Sequence, residues 1–371
     1  MVLAHPPLPE GSAAGRCSLA ALRGLLGQGQ EVRALAAVPD VHERVAPPGD
    51  LPVELIDVPA ETSYRTKIRE YVEPRGWLGG GEFAARAEAL AADAEAVFLD
   101  QLESAPLSGL ANGHTLLHLH CLAARDRRLG APWSTATRDA VKARLAERRA
   151  RRGAPHLMAN SPEVEDELRS GGARDVHVVP LGLDPADYEP SARPERPVAG
   201  LIGTATWPPT ANAVRRLLSE VWPRVHAARP DAVLRLGGRG MERARFEGLD
   251  RVPGVEWIGE VPTATGFLRE LSLLLYPVTR GSGTKVKVLE SMFLELPVVT
   301  TPSGSEGIAA NDGVLVSDDD DDLARAAVEL LGDRSTQRQR GEAGRAHGLS
   351  HHSPAIVGAA LAESLETIAL S

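Results

Sequence analysis

Short apolar runs alternate with stretches whose apolar residues recur every three or four positions, along nearly the whole chain. Runs at 2–4, 32–38, 97–99, 115–119, 155–159 and 176–179 have strand length. Between the first two, Leu19, Leu22, Leu25 and Leu26 repeat at helical spacing, and Gly27 and Gly29 close the helix. Ser161, Pro162 and Glu163 supply a cap, a first-turn proline and an acid in that order, which opens a helix that Gly171 and Gly172 end. A second series of strands is predicted at 198–202, 232–236, 255–257, 273–276, 298–300 and 314–316, with helices between them. A last helix at 355–370 carries Ile356, Ala359, Ala360, Leu365 and Ile368 as its apolar positions. Strands alternating with helices imply parallel α/β units. The two series are separated by 185–197, where Pro185, Pro190, Pro194 and Pro197 make a stiff connection. The pattern predicts two Rossmann-like, doubly wound α/β domains facing a cleft, at 1–185 and 186–350, with 351–371 a C-terminal helix packing back on the first. In such sheets ligands bind beyond the carboxyl ends of the strands.

Composition narrows the possibilities. Of 371 residues, 43% are hydrophobic and 25% charged, an ordinary globular balance. A net charge of -9 argues against a general nucleic-acid binder. The stretch 125–152 runs against that charge, with ten Lys or Arg and three acids. Such a stretch could dock to an anionic lipid surface, but a solvated helix face on an acidic protein is the favoured reading. Cys17 and Cys121 are too few and too far apart for a disulfide framework or a cysteine zinc site. Residues 1–15 lack the apolar core of a secretion signal, and the longest strong apolar run, 271–278, is interrupted by Ser272 and Pro277. A cytoplasmic protein is expected.

The richest chemistry follows the strand at 273–276. From Tyr276 the chain reads Pro277, Val278, Thr279, Arg280, Gly281, Ser282, Gly283, Thr284, Lys285, Val286, Lys287, Val288, Leu289, Glu290. Glycines let a backbone approach a phosphate closely, and a helix opening near Thr284 offers N–H groups and partial positive charge to an anion. Lys287 and Glu290, three apart, share one helix face; Val286, Leu289 and Phe293 lie on another and are expected against the sheet. A carboxylate one turn beyond a cation can accept two hydroxyl hydrogen bonds, as a ribose offers. The order Thr284-Lys285 reverses that of a P-loop, and neither G-x-G-x-x-G after the first strand nor G-x-S-x-G is present. Read locally, the same residues also fit a glycine turn before a surface helix with an exposed Lys287–Glu290 ion pair.

The block from Gly281 to Glu290, continued by Ser291 to Thr301 and by Glu306, Gly307 and Ile308, resembles the donor-site core of glycosyltransferase family 4 and its GT-B relatives. Other segments match in order: Asn160-Ser161, then Val179-Pro180-Leu181-Gly182-Leu183-Asp184, then Gly203 to Pro209, then Val255 to Val261. The resemblance is good over about 155–345 and looser before it. It implies a GT-B fold and a retaining transferase. The sugar would pass from a UDP- or GDP-linked donor to a small-molecule or glycan acceptor, without a resident metal or cofactor. Glu290 is then expected on the ribose, and Lys287 with the amides of Gly283 and Thr284 on the diphosphate. The backbone at Glu260-Val261 is expected on the base, and Glu306 and Gly307 near the sugar or diphosphate, with Gly203, Gly281 and Ser282 completing the donor set. Two departures stand out. The first Glu of the family's E-x7-E pattern falls on Ser282, which leaves the sugar open. The Arg and Lys that many relatives carry after the first strand of this domain are absent from 204–212, where Arg215 is the next cation, so Lys287 carries more of the phosphate charge, helped by Arg280 or Arg239. The Ser282 departure leaves room for a pseudo-glycosyltransferase or a nucleotide-sugar epimerase; a silent GT-B partner protein is a third reading, against which the intact Lys287, Glu290 and glycines weigh.

Further candidates lie in the first domain. In the family a glycine-rich loop, here 5–15 with Gly11 and Gly15, approaches the donor. His118 and His120 fall on one strand face, and His120 sits where relatives carry a cleft histidine; Asp100 ends a strand. These two, His120 and Asp100, join Lys287 as the catalytic candidates, against the alternative of a structural cluster. Tyr64, Arg65, Lys67, Arg69, Tyr71, Arg75 and Trp77 crowd one short segment of a chain with few aromatics, which suits a sugar or phosphorylated acceptor. The D-x-D letters within 318–322 read as acids at the start of a helix rather than as a metal site.

Overall fold

The inner strands of the first unit turn alternate residues to opposite sides, and both sides are apolar. Val2, Leu35, Ala37, Val97, Leu99, Leu117 and Leu157 enter one core, while Leu3, Ala34, Ala36, Phe98, Leu116 and Met158 enter another. Strands buried on both faces belong in a parallel sheet with helices on each side, and the computed structural model, which describes residues 1–39, 47–58, 78–127 and 129–371, has that architecture. The strands are β1 (Val2–Leu3), β2 (Ala34–Pro39), β3 (Val53–Val58), β4 (Val97–Asp100), β5 (Thr115–His118), β6 (His156–Ala159) and β7 (Val176–Val178). They pair in parallel in the order β3-β2-β1-β4-β5-β6-β7. Among the described residues the helices of this part are α1 (Ala13–Gly27), α2 (Gly81–Ala91), α3 (Ala123–Asp126), α4 (Thr135–Gly153) and α5 (Pro162–Ser170). Ser12 and Ser161 cap α1 and α5 through their side chains.

The second unit repeats the scheme. Its strands are β8 (Val198–Ile202), β9 (Val233–Gly237), β10 (Val255–Gly259), β11 (Leu273–Tyr276), β12 (Val298–Thr300) and β13 (Val314–Val316), in parallel order β10-β9-β8-β11-β12-β13. Its α-helices are α6 (Pro208–Arg216), α7 (Trp222–Ala228), α8 (Ala264–Arg269), α9 (Val286–Phe293), α10 (Asp320–Gly332) and α11 (Arg334–His351). The acids at 318–322 act at the start of α10: Asp319 caps the amides of Asp321 and Asp322, and Asp320 holds Arg216 at 2.8 Å. The last helix, α12 (Pro354–Ala369), packs on α1, so the chain divides into Met1–Leu183 with Ser353–Ser371, and Asp184–His352. The α1–α12 crossing is backbone-close: a Cβ on Gly24 would lie 2.2 Å from the Pro354 carbonyl oxygen.

Two elements escape a reading of periodicity. β3 is an edge strand with half-buried residues and acids at Glu54 and Asp57, so no apolar run marks it. α11 buries Gln337, Gly341, Gly344 and Gly348 rather than an apolar stripe, because its small residues let it lie against the chain around Glu295 and Phe293.

Candidate active site

Strand order reverses between β1 and β4 in one sheet and between β8 and β11 in the other. Loops leaving neighbouring strands at such a point diverge to opposite faces, which opens a crevice at the carboxyl ends. The chemistry-bearing residues gather at these two points, one in each unit.

In the second unit the loop after β11 is folded inward. Gly281, Ser282, Gly283, Thr284 and Glu306 are buried, and Gly283 has φ +69, a conformation open to glycine at little cost. The Gly283 amide donates to Glu306 Oε1 at 2.8 Å, and Lys285 Nζ donates to the Gly283 carbonyl. The helix begins at Val286, two residues later than the sequence pattern predicts, with Lys285 in extended conformation at its N-cap. Ser282 to Thr284 therefore form a loop before the helix rather than its first turn. The helix is also buried on more than one face. Val288, Leu289, Met292 and Phe293 pack inward, Val286 is only half-buried, and Glu290 is 2% exposed. An exposed Lys287–Glu290 surface pair is thereby excluded.

Lys287 Nζ lies 4.3 Å from the centre of the Tyr276 ring, and a Cβ on Gly203 would come within 2.7 Å of it. Gly203 thus leaves room for the ammonium at the end of β8. Burial, partly offset by Glu290, lowers the Lys287 pKa to about 8. Tyr188, fully buried and stacked on Phe293, donates its hydroxyl to Glu290 Oε1 at 3.5 Å. Arg215 lies over the Phe246 ring, and Arg239 pairs with Glu260 at 3.5 Å. Arg280 is exposed, and Val261 is half-buried beyond the end of β10. Gly307 takes φ +74 next to Glu306.

In the first unit, Asp100 ends β4 and His118 ends β5, whose register sets the two residues side by side. His120 Nε2 meets Asp100 Oδ1 at 2.6 Å and His118 Nδ1 lies 3.7 Å from the same oxygen, while Ser18 donates to Oδ2 at 3.2 Å. The two imidazoles stand 3.9 Å apart, and the Asn160 amide faces His118 Nε2 at 3.4 Å. Burial opposes ionisation of Asp100, yet His120 and His118 overcome it and hold the carboxyl well below the usual range. Burial, reinforced by His120, pushes His118 down to about 4. His118 is thus a neutral wall of the cluster, while His120, its side chain 17% exposed, is the member that meets solvent. The chain turns sharply after Asp100: Gln101 has φ 68, and Ser104 Oγ bonds the Asp100 carbonyl at 2.9 Å.

Ser18, Gln101 and Tyr188 carry no motif, so sequence reasoning missed their place beside these groups. Gly15 is not in the loop before α1 but in its first turn, where a Cβ would lie 2.4 Å from the Pro6 carbonyl oxygen. Gly11 accepts Arg16 Nη1 at 2.6 Å through its carbonyl. The acceptor candidates Tyr64, Arg65, Arg69 and Trp77 lie outside the described residues.

These paired parallel sheets define a GT-B fold. The chain is similar along its length to Anabaena HepE, solved with UDP and glucose, at 16% identity, covering 99% of this chain and 98% of that one, with a TM-score of 0.64. It is similar also to sucrose-phosphate synthase from Thermosynechococcus elongatus, at 16% identity, covering 100% and 99%, with a TM-score of 0.74. Residues 196–333 match the sequence family described as Glycosyl transferases group 1, so the second unit carries a glycosyltransferase domain. Over 163 residues the chain is 32% identical to the GDP-mannose-dependent monoacylated alpha-(1-6)-phosphatidylinositol monomannoside mannosyltransferase of Corynebacterium glutamicum, covering 40% of this chain and 43% of that protein. That match spans less than half of the relative's length.

Proposed function

We propose that the protein is a retaining, family-4-like glycosyltransferase that moves a sugar from a UDP- or GDP-linked donor to an acceptor hydroxyl in the cytoplasm. The observation that carries this reading is the lodging of Lys287 against Gly203, with the buried Glu290 one turn further along α9. A cation and a carboxylate so held, at the carboxyl ends of β8 and β11, suit a diphosphate and a ribose. The glycosyltransferase domain over 196–333 supports it, as do the UDP bound by HepE and the GDP-mannose used by the mannosyltransferase.

In this mechanism the bond from the anomeric carbon to the diphosphate breaks as the acceptor oxygen bonds to the same face. The acceptor proton leaves on the departing phosphate oxygen. Lys287 stabilises the charge that develops on the diphosphate, without a covalent nucleophile or a metal. His120, oriented by Asp100, holds sugar hydroxyls. The acceptor is a small molecule or glycan bound by the first unit, with Tyr64, Arg65, Arg69 and Trp77 its proposed contacts.

Contact with an anionic membrane surface through 125–152 is supported by α4. Trp133 is 81% exposed just before it, and Arg138, Arg148, Arg149 and Arg152 face outward, whereas Arg151 is turned in to Glu147. No helix among the described residues is long and apolar enough to cross a membrane.

Thermal melting with UDP, GDP, dTDP and ADP, each with and without magnesium, tests the proposal. A shift with one nucleotide, unchanged by magnesium, supports the donor site and names the base. No shift with any of them overturns the transferase reading in favour of a silent partner protein.

A further inference from the structure

A second histidine–carboxylate group lies at the opposite end of the first sheet. β6 and β7 are parallel neighbours with Leu157 opposite Val176 and Met158 opposite His177. That register sets His156 across from Asp175, and His177, two residues beyond Asp175, returns to the same face. The side chains converge as the register requires. His156 Nδ1 and His177 Nε2 meet Asp175 Oδ2 at 2.7 and 3.0 Å. The three possible ligand atoms all lie within 4.8 Å of one another.

We propose that His156, Asp175 and His177 form a site for a divalent transition-metal ion of the zinc class, which pins the edge strand β7 to β6. Two imidazole nitrogens and one carboxylate oxygen are a donor set that zinc takes readily, and that calcium and magnesium do not prefer. Both histidine side chains are only 15% exposed and stand on paired strands, so little ordering is left for the metal to impose. The Asp175 side chain is 47% exposed, which leaves a side open for water to complete the shell. The ion would take the ring nitrogen that each imidazole now turns towards Asp175 Oδ2, and the proton there would move to the other ring nitrogen.

The other group of this kind, Asp100 with His118 and His120, is less suited. It lies at the carboxyl ends of β4 and β5, with Ser18 on Asp100 Oδ2 and Asn160 facing His118 Nε2. The site at His156 sits at the amino ends of its strands, so its role is structural and independent of the proposed transferase chemistry.

The test is titration calorimetry and thermal melting of the full chain, stripped with EDTA and desalted, against zinc chloride, with magnesium chloride as control. Zinc should bind at about one equivalent and raise the Tm, whereas magnesium should do neither. His156→Gln and His177→Gln should each weaken zinc binding at least about tenfold while retaining the wild-type circular dichroism. Should either variant misfold, Asp175→Asn and the cobalt-loaded wild type take its place. Weakened binding in Asp175→Asn and the intense visible bands of a four-coordinate cobalt site support the proposal; failure of either overturns it. Absence of saturable zinc binding overturns it. So does zinc binding that survives His177→Gln but is lost in His120→Gln, which would place the ion at the other cluster.

Discussion

The ionisation of Lys287 gives the sharpest test of the donor site. Burial lowers its pKa to about 8, whereas an exposed lysine titrates at about 10.4. If the ammonium holds the donor diphosphate, only the protonated enzyme binds well, and the apparent Kd scales as one plus the ratio of neutral to charged lysine. With a pKa of about 8 that factor is about 1.1 at pH 7 and about 11 at pH 9, a tenfold loss of affinity. A lysine at the ordinary value would give a profile flat to within about 10% over the same range. The nucleotide contributes little slope, because the second ionisation of a phosphate is complete above about pH 7. The bound diphosphate raises the pKa, so the loss should begin near pH 8 and level off where the complex itself titrates. The assay is calorimetric titration of whichever nucleotide shifts the melting temperature, from pH 7 to 9 at constant ionic strength. Lys287→Arg keeps its charge throughout and should show a flat profile, whatever its absolute affinity. A flat profile in the wild type, or an equal slope in Lys287→Arg, would refute the assignment of the diphosphate to this side chain.

Three further outcomes are expected. Glu290→Gln keeps the volume of a buried side chain but removes its charge, and should raise the donor KM about tenfold or more with an unchanged melting curve; unaltered donor kinetics would remove Glu290 from the ribose. His118 is depressed from 6.5 to about 4, so the unfolded chain binds more protons in that window, and stability should fall as pH drops from 6.5 towards 4. Melting curves of His118→Asn should lack that part of the fall, and an identical pH dependence would show that His118 does not carry it. Gly24→Ala places a Cβ 2.2 Å from the Pro354 carbonyl and should destabilise the first unit by about 1–3 kcal/mol, read from urea midpoints; a neutral result would mean that the α1–α12 crossing is looser than described.

Sequence alone settles what depends on neighbours along the chain. The short apolar runs of β2 and β4, the helical spacing of Leu19, Leu22 and Leu25, and the cap at Ser161 are local, because they reflect backbone geometry and the hydrogen-bonding needs of a helix end. Together they specify two parallel α/β sheets, and the glycine-rich loop with Lys287 and Glu290 marks the segment where an anion site is built. The start of α9 is less legible, since Thr284 and Lys285 fit a first turn equally well until the burial of the loop and the Glu306–Gly283 bond draw them out of it.

What only the tertiary structure decides is which distant residues become neighbours. Ser18 reaches Asp100, 82 positions away, because α1 follows β1 and β1 pairs with β4. Tyr188 reaches Glu290 across 102 positions, and Gly203 shapes the pocket for Lys287 only because β8 and β11 are adjacent. No periodicity records these contacts. They follow from strand order, which is set by the burial of both faces of each sheet at once, and the pKa values of Asp100, His118 and Lys287 follow from that burial in turn.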